Sequence, residues 1–453
     1  MRRLLNAIAK FLGMLALQAA LLAPVYFFVM ILAGLHFVLL ASMFLTPVWL
    51  LIWRRESRFW TGAVIVFVLL LYAMPAAALV PAYPGRMALA LAAIVCGVVL
   101  ARRRLRPITI AMLGLAVFAV TLALTYNEMQ NLVNEREIAE RDASLAGVGR
   151  MIVPYEKAPD FSQMRRIAFD RPLDRLWMTR GFDGQENHPS LMIVNLADDS
   201  FAVTAPSPTQ AVAVDEDAQQ VYVGHFRERY LAVYDANSAE ELRRAETEQR
   251  PVRLALSGDR TTLWVLSEPS ARLSRWDART LTKLAESENV NLLLPYPFAV
   301  SAPTKSLFLS SSWFMVYNRL VEFDDETLAV KRNKTIGVTP VRDMLVDGNA
   351  GRLYVARPLL ARVEAYDLTS LEKLFSLPAP MGVYSLTTTH DGRSLFAGSF
   401  TTGELWKIDI GARKRLWRGF LGRRLRHLAT HPDTGEIYGT SALGLFVIDP
   451  NNC

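Results

Sequence analysis

Cysteine is nearly absent. Among 453 residues only Cys96 and Cys453 carry thiols, which excludes an internal disulfide framework, a zinc site built on Cys pairs and a Cys-x-x-Cys-His haem attachment. Acidic side chains are missing from the first part of the chain: residues 1–126 hold 11 Lys/Arg and a single acid, Glu56. The remainder carries 39 basic and 42 acidic residues, so the basic excess lies entirely in the first 126 residues, at +10, against −3 for the rest. A basic excess confined to an apolar stretch is no footprint for nucleic acid, and none is expected as a partner. No His-x-x-x-His pair, Gly-x-Ser-x-Gly elbow or Gly-rich phosphate loop occurs either, which leaves hydrolase and nucleotide-binding functions without a recognisable site. No metal or cofactor is expected.

What the chain has instead is long uncharged runs. Between Lys10 and Arg54 lie 43 residues without a formal charge, double the ~20 a helix needs to cross a bilayer. Five spans are expected in a membrane domain over residues 1–126, at 11–32, 37–53, 60–80, 86–101 and 107–126. The first run is too long for the core of a signal peptide. Arg2, Arg3 and Lys10, then Arg54, Arg55 and Arg58, then Arg102, Arg103, Arg104 and Arg106 mark alternate ends of the spans. The positive-inside rule therefore puts the N-terminus in the cytoplasm and everything after Tyr126 outside it. No Asp, Glu, Lys or Arg falls within a span at any depth a transport pathway would use, which argues against a transporter. The small residues Ala93 and Gly97 suit close packing within the helix bundle.

Beyond residue 160 the sequence repeats. An aliphatic-aromatic pair recurs as Leu176-Trp177, Val221-Tyr222, Leu263-Trp264, Leu307-Phe308, Leu353-Tyr354, Leu395-Phe396 and Ile437-Tyr438, at intervals of 42 to 46 residues. Each is followed by an apolar residue and then Asn195, Asp235, Asp277, Asp324, Asp367, Asp409 or Asp449. Short strands at this period predict a seven-bladed β-propeller. The recurring aspartates are expected to shape turns by accepting backbone hydrogen bonds. Stretches such as GRLYVARPLLARVEAYDLTSLEKL and QQVYVGHFRERYLAVYDANSAEEL resemble the YVTN-type repeats of bacterial extracytoplasmic propellers, which are related to lactonase-like and quinoprotein-amine-dehydrogenase-like propellers. The resemblance covers residues 160–450. It implies the fold, while such propellers serve variously as enzymes, cofactor holders and binding platforms.

The last repeat supplies three strands, near Leu425 to Thr430, Glu436 to Thr440 and Leu445 to Ile448, and lacks a fourth. An open blade would expose a sheet edge, so Met151-Ile-Val-Pro154 is expected to close the ring as its outer strand. The propeller is thereby assigned to residues 150–453. Residues 127–149 are read as a juxtamembrane helix and linker: the fifth span continuing as an exposed helix to about Asp142, then a flexible connection. Such a stalk would lift the propeller about 24 Å.

One repeat position concentrates chemistry. Five residues before the turn that follows each inner strand stand Arg165, Gln210, Tyr296, Arg342, Ser385 and Arg426, and one residue of slippage adds Arg253. Arginines converging on a funnel would suit a carboxylate or phosphate. A second candidate surface is the aromatic loop with Trp313, Phe314 and Tyr317, which suits a protein partner. His390 and His431 sit in turns. Arg413, Lys414, Arg415, Arg418, Arg423 and Arg424 form a basic run that suits a solvated outer strand.

Together these observations lead to a bacterial inner-membrane protein with a periplasmic or otherwise extracytoplasmic propeller. It would bind or scaffold an envelope protein, or an anionic small molecule or glycan, without catalysis of its own. The alternative is a lactonase-like hydrolase or a dehydrogenase working in the central funnel, with an acid-base pair drawn from Asp183, Glu186 and His188.

Overall fold

The strands of each repeat differ in burial in a way that places them in the ring. Ser306–Ser310, a second strand, is buried along its whole length, which requires both sheet faces to be covered, whereas Glu241–Glu246, an outermost strand, is buried nowhere. In the computed structural model, which describes residues 133–453 apart from 158–165, 181–189, 205–207, 291, 293–296, 311–317 and 338, the strands form seven four-stranded antiparallel sheets. They are the blades of a β-propeller. Their faces bury the repeating aromatics at the seams: Trp177 and Leu191 of blade one pack with Val221 and Tyr230 of blade two, and Tyr222 of blade two packs with Leu263 and Trp276 of blade three.

The recurring Asn and Asp residues are turn formers. Asp235 Oδ1 accepts the N–H groups of Asn237 and Ser238, and Asp277, Asp324, Asp367, Asp409 and Asp449 accept in the same way. Four residues on from all but the last, the chain enters the left-handed region, at Ala239, Leu281, Leu328, Leu371 and Arg413. That conformation is costly for a residue with a Cβ and is held here by the carboxylate-capped turn.

The seventh blade takes its outer strand from the start of the propeller. Gly149–Pro154 pairs antiparallel with Gly444–Ile448, from Gly149 opposite Ile448 to Pro154 opposite Gly444. Ile152 and Val153, 2 % and 1 % exposed, join Ile167 and Leu176 of blade one and Tyr438 and Leu445 of blade seven in one core. Pro154 is tolerated because this strand is outermost in its sheet and owes no hydrogen bond on its far side. The backbones run so close that a Cβ on Gly444, at φ +117, would lie 2.1 Å from the Val153 carbonyl oxygen.

The segment ahead of the propeller departs from expectation. Its helix, α1, spans Glu135–Leu145, and Asn134 ahead of it is extended, with its side chain accepting the Glu137 N–H. A capped start with Glu135 and Glu137 in the first turn is a fresh helix, so no helix continues through Asn134 from upstream. Nor is α1 an exposed stalk. Leu145 is buried among Leu421, Leu425 and Phe446, and Arg141, 4 % exposed, reaches the Leu443 carbonyl and Glu156. The charges of Glu135 to Asp142 suggest a solvated helix, but Leu145 at its end has an apolar seam to fill. The basic run also divides: Lys414, Arg415 and Arg418 are exposed on the outer strand Lys414–Phe420, while Arg423 is buried.

The five expected spans lie outside the described residues. Among the described residues no helix is long and apolar enough to cross a membrane.

Candidate functional site

Strand pairing fixes which residues share a level of the ring. The buried aromatics of the second strands stand opposite Ala168, Ala213, Ala255, Ala299, Leu345, Thr387 and Ala429 on the inner strands. Two residues earlier stand Arg166, Ala211, Arg253, Pro297, Asp343, Ser385 and His427. Three of these reach across to the next blade and accept a backbone N–H: Asp343 Oδ2 from Leu386 at 2.9 Å, Ser385 Oγ from Leu428 at 2.9 Å, and His427 Nδ1 from Ile167 at 3.2 Å. Inner strands are sheet edges, and this row of acceptors satisfies N–H groups that have no strand beside them.

Asp343 and His427 both feel the charges of Arg166 and Arg253. Blades three and seven are not neighbours, so Arg253 acts on His427 from across the ring; this level of the inner strands is termed its throat. Burial raises the Asp343 carboxyl above its ordinary 3.8, and Arg166 and Arg253 oppose that rise. Burial, then the same two guanidiniums, hold His427 well below 6.5. Because Nδ1 accepts from Ile167, the neutral ring carries its proton on Nε2.

One residue nearer the strand start, consecutive blades carry Arg342, Tyr384 and Arg426. Tyr384 stacks on Phe400 with ring centres 5.1 Å apart. Arg342 lies over the Tyr384 ring at 5.8 Å and Arg426 over the Phe400 ring at 5.1 Å. Two guanidiniums thus bracket an aromatic pair. Cation–π contact uses the flat face of a guanidinium and leaves its N–H edge available for a planar anion. Arg342 is half-buried, and among the described residues its side chain makes no hydrogen bond or ion pair.

Of the seven residues expected at one funnel position, the five that are described occupy two levels. Arg253 and Ser385 belong to the throat, and Ser385 is 1 % exposed. Gln210, Arg342 and Arg426 belong to the level above, where Gln210 is 2 % exposed and offers little to a ligand, Arg426 is 9 % exposed, and Arg342 is the most open of the three. Arg165 and Tyr296 lie outside the described residues, as do Trp313, Phe314 and Tyr317 of the aromatic loop and Asp183, Glu186 and His188. The cause is one residue of register: Arg253 and Ser385 stand two residues before the one opposite the blade's aromatic, and Gln210, Arg342 and Arg426 stand three before it. Counting back from the residue opposite each aromatic would have found Arg166, Asp343 and His427, and with them Tyr384.

Among the described residues no three His, Cys, Asp or Glu side chains gather closely enough to hold a metal ion. His431 is a turn residue whose Nδ1 accepts the N–H groups of Asp433 and Thr434. His225 is buried in blade two, stacked on Tyr230 at 4.1 Å and hydrogen-bonded to the Tyr234 hydroxyl at 3.1 Å.

No protein-family model matches the chain, and no curated protein matches it. Among solved structures it is similar to the hydrazine synthase of Kuenenia stuttgartiensis, at 14 % identity and a TM-score of 0.56, over 65 % of this chain and 97 % of that one. At this identity the likeness concerns the propeller fold alone.

Proposed function

We propose that this protein is a membrane-anchored binding module of the YVTN-propeller kind. Its extracytoplasmic propeller would engage a carboxylate or phosphate group, on an envelope protein or a small ligand, at the row Arg342–Tyr384–Phe400–Arg426. The observation that carries this is the Arg342 guanidinium, placed over the Tyr384 ring at 5.8 Å with no hydrogen-bond acceptor among the described residues. A half-buried cation fixed in this way is already oriented for a planar anion, which reduces the ordering cost of binding. Anchoring in the inner membrane, N-terminus in the cytoplasm, is supported by the uncharged runs of residues 1–126 and the alternating placement of their arginines.

The test is titration of the full-length protein in mild detergent with a fluorescein-labelled oligoglutamate and, separately, with inorganic pyrophosphate. Binding of at least one probe is expected, and it should weaken with added salt. Arg342→Gln together with Arg426→Gln should reduce affinity about tenfold or more, since hydrogen bonds to charged groups contribute about 1.5–3 kcal/mol each. Equal affinity of the double variant and the wild type would overturn the assignment.

A further inference from the structure

The segment from Phe420 to His427 is gripped from two sides. On one side is α1: the Phe420 N–H donates to Ser144 Oγ at 2.9 Å, Leu421 and Leu425 pack with Leu145, and Arg423 Nη2 meets Glu137 Oε1 at 2.8 Å with the two side chains only 9 % and 16 % exposed. On the other side is the arginine row: the Arg424 N–H donates to the Phe400 carbonyl at 2.8 Å, and Arg426 sits on the Phe400 ring.

Between these grips the backbone is strained. Gly422 has φ +105, and a Cβ there would approach Leu443 Cγ to 2.7 Å. Arg424 has φ +59, a left-handed conformation that a side-chain-bearing residue keeps only when its surroundings impose it. The Glu137–Arg423 pair is dry enough that losing either partner strands the other. An isolated helix as short as α1, 11 residues, is not stable in water. Its folding and its docking on the propeller are therefore one event, with two outcomes.

Resting on the row as a binding surface, we propose that α1 is a positioning latch for it. Docked, the helix holds Phe420–His427 in the strained turn that seats Arg426 on Phe400. Undocked, it releases Arg426, so that the row's affinity for an anionic group follows the state of the chain at Asn134.

The full-length protein in detergent tests this with Glu137→Gln, Arg423→Gln and the exchanged pair Glu137→Arg/Arg423→Glu. Two quantities are measured: hydrogen exchange of residues 420–428, with the strand Thr262–Glu268 as reference, and affinity for the labelled oligoglutamate. Exchange at 420–428 should quicken on the order of tenfold in each single variant with the reference unchanged. Affinity should fall about fivefold or more, and both should recover in the exchanged pair. Unchanged exchange at 420–428 overturns the latch, as does faster exchange with unaltered affinity. Equal quickening in the reference strand also overturns it, since the pair would then support only global stability. If the wild type binds no oligoglutamate, the row as a site for such an anion falls, and the affinity half of this inference with it. The exchange measurement needs no ligand and separates that failure from failure of the latch.

Discussion

The backbone N–H of Ile167 donates to Nδ1 of His427 at 3.2 Å, joining the first blade to the last across 260 residues of chain. The ring is thus fastened near its axis as well as at its rim. Leucine in place of His427 removes the acceptor and leaves the amide unsatisfied, which should lower stability by about 1–3 kcal/mol in urea unfolding. Glutamine, whose amide oxygen can accept, should recover part of the loss. Equal stability of His427→Leu and the wild type would mean that this bond does not help to close the ring.

Closure at the rim makes a residue outside the repeats part of the core. Ile152→Ala should cost about 2–5 kcal/mol, as for other buried large-to-small changes. The loss should appear in the melting of the whole propeller, because residue 152 packs against blades one and seven together. A variant melting with the wild type would show that the last blade holds without this contact.

His225 gives stability a pH dependence whose sign is fixed. Burial first, and the Arg244 charge second, hold its pKa at about 3, below the ordinary 6.5. Unfolded, the imidazole takes a proton as pH falls through 6.5; folded, it resists until about 3. Its contribution is whole above 6.5 and declines below it, by about 1.4 kcal/mol per pH unit. His225→Phe should therefore lose about 2 kcal/mol less than the wild type between roughly pH 6 and pH 4.5. His427 titrates in the same direction and Asp343 in the opposite one, but both remain in the variant, so the difference isolates His225. Parallel pH profiles would contradict this.

Topology is checked with a reporter active only outside the cytoplasm. Fused after residue 130 it should be active, and fused after residue 56 or residue 104 it should be silent. The opposite pattern would reverse the orientation drawn from Arg54, Arg55, Arg58 and Arg102–Arg104.

The propeller was legible in the sequence because a blade needs its second strand buried on both faces, and only an aliphatic-aromatic pair such as Leu353-Tyr354 fills that place in every repeat. The outer strand of the seventh blade was legible by subtraction. Two things were not. Arg253 and Arg342 look equivalent in the sequence once one residue of slippage is allowed, yet they stand two and three residues before the one opposite the aromatic and so one level apart. The docking of α1 depends on Leu145 meeting Leu421 and Phe446, long-range partners that no local charge pattern reveals.

The pairing of Gly149–Pro154 with Gly444–Ile448 also sets a timetable for synthesis. The closing strand leaves the ribosome before any blade and waits, unpaired, while about 300 residues follow it. Six blades can assemble in order as they emerge, but the seventh has no outer strand of its own and draws on the oldest part of the domain. Until then the nascent ring adds, to the edges every blade keeps, an unpaired strand whose Ile152 and Val153 are uncovered and open to any passing strand. A chain that stalls before Gly444 thus differs from a finished one by an exposed edge rather than by a few missing residues.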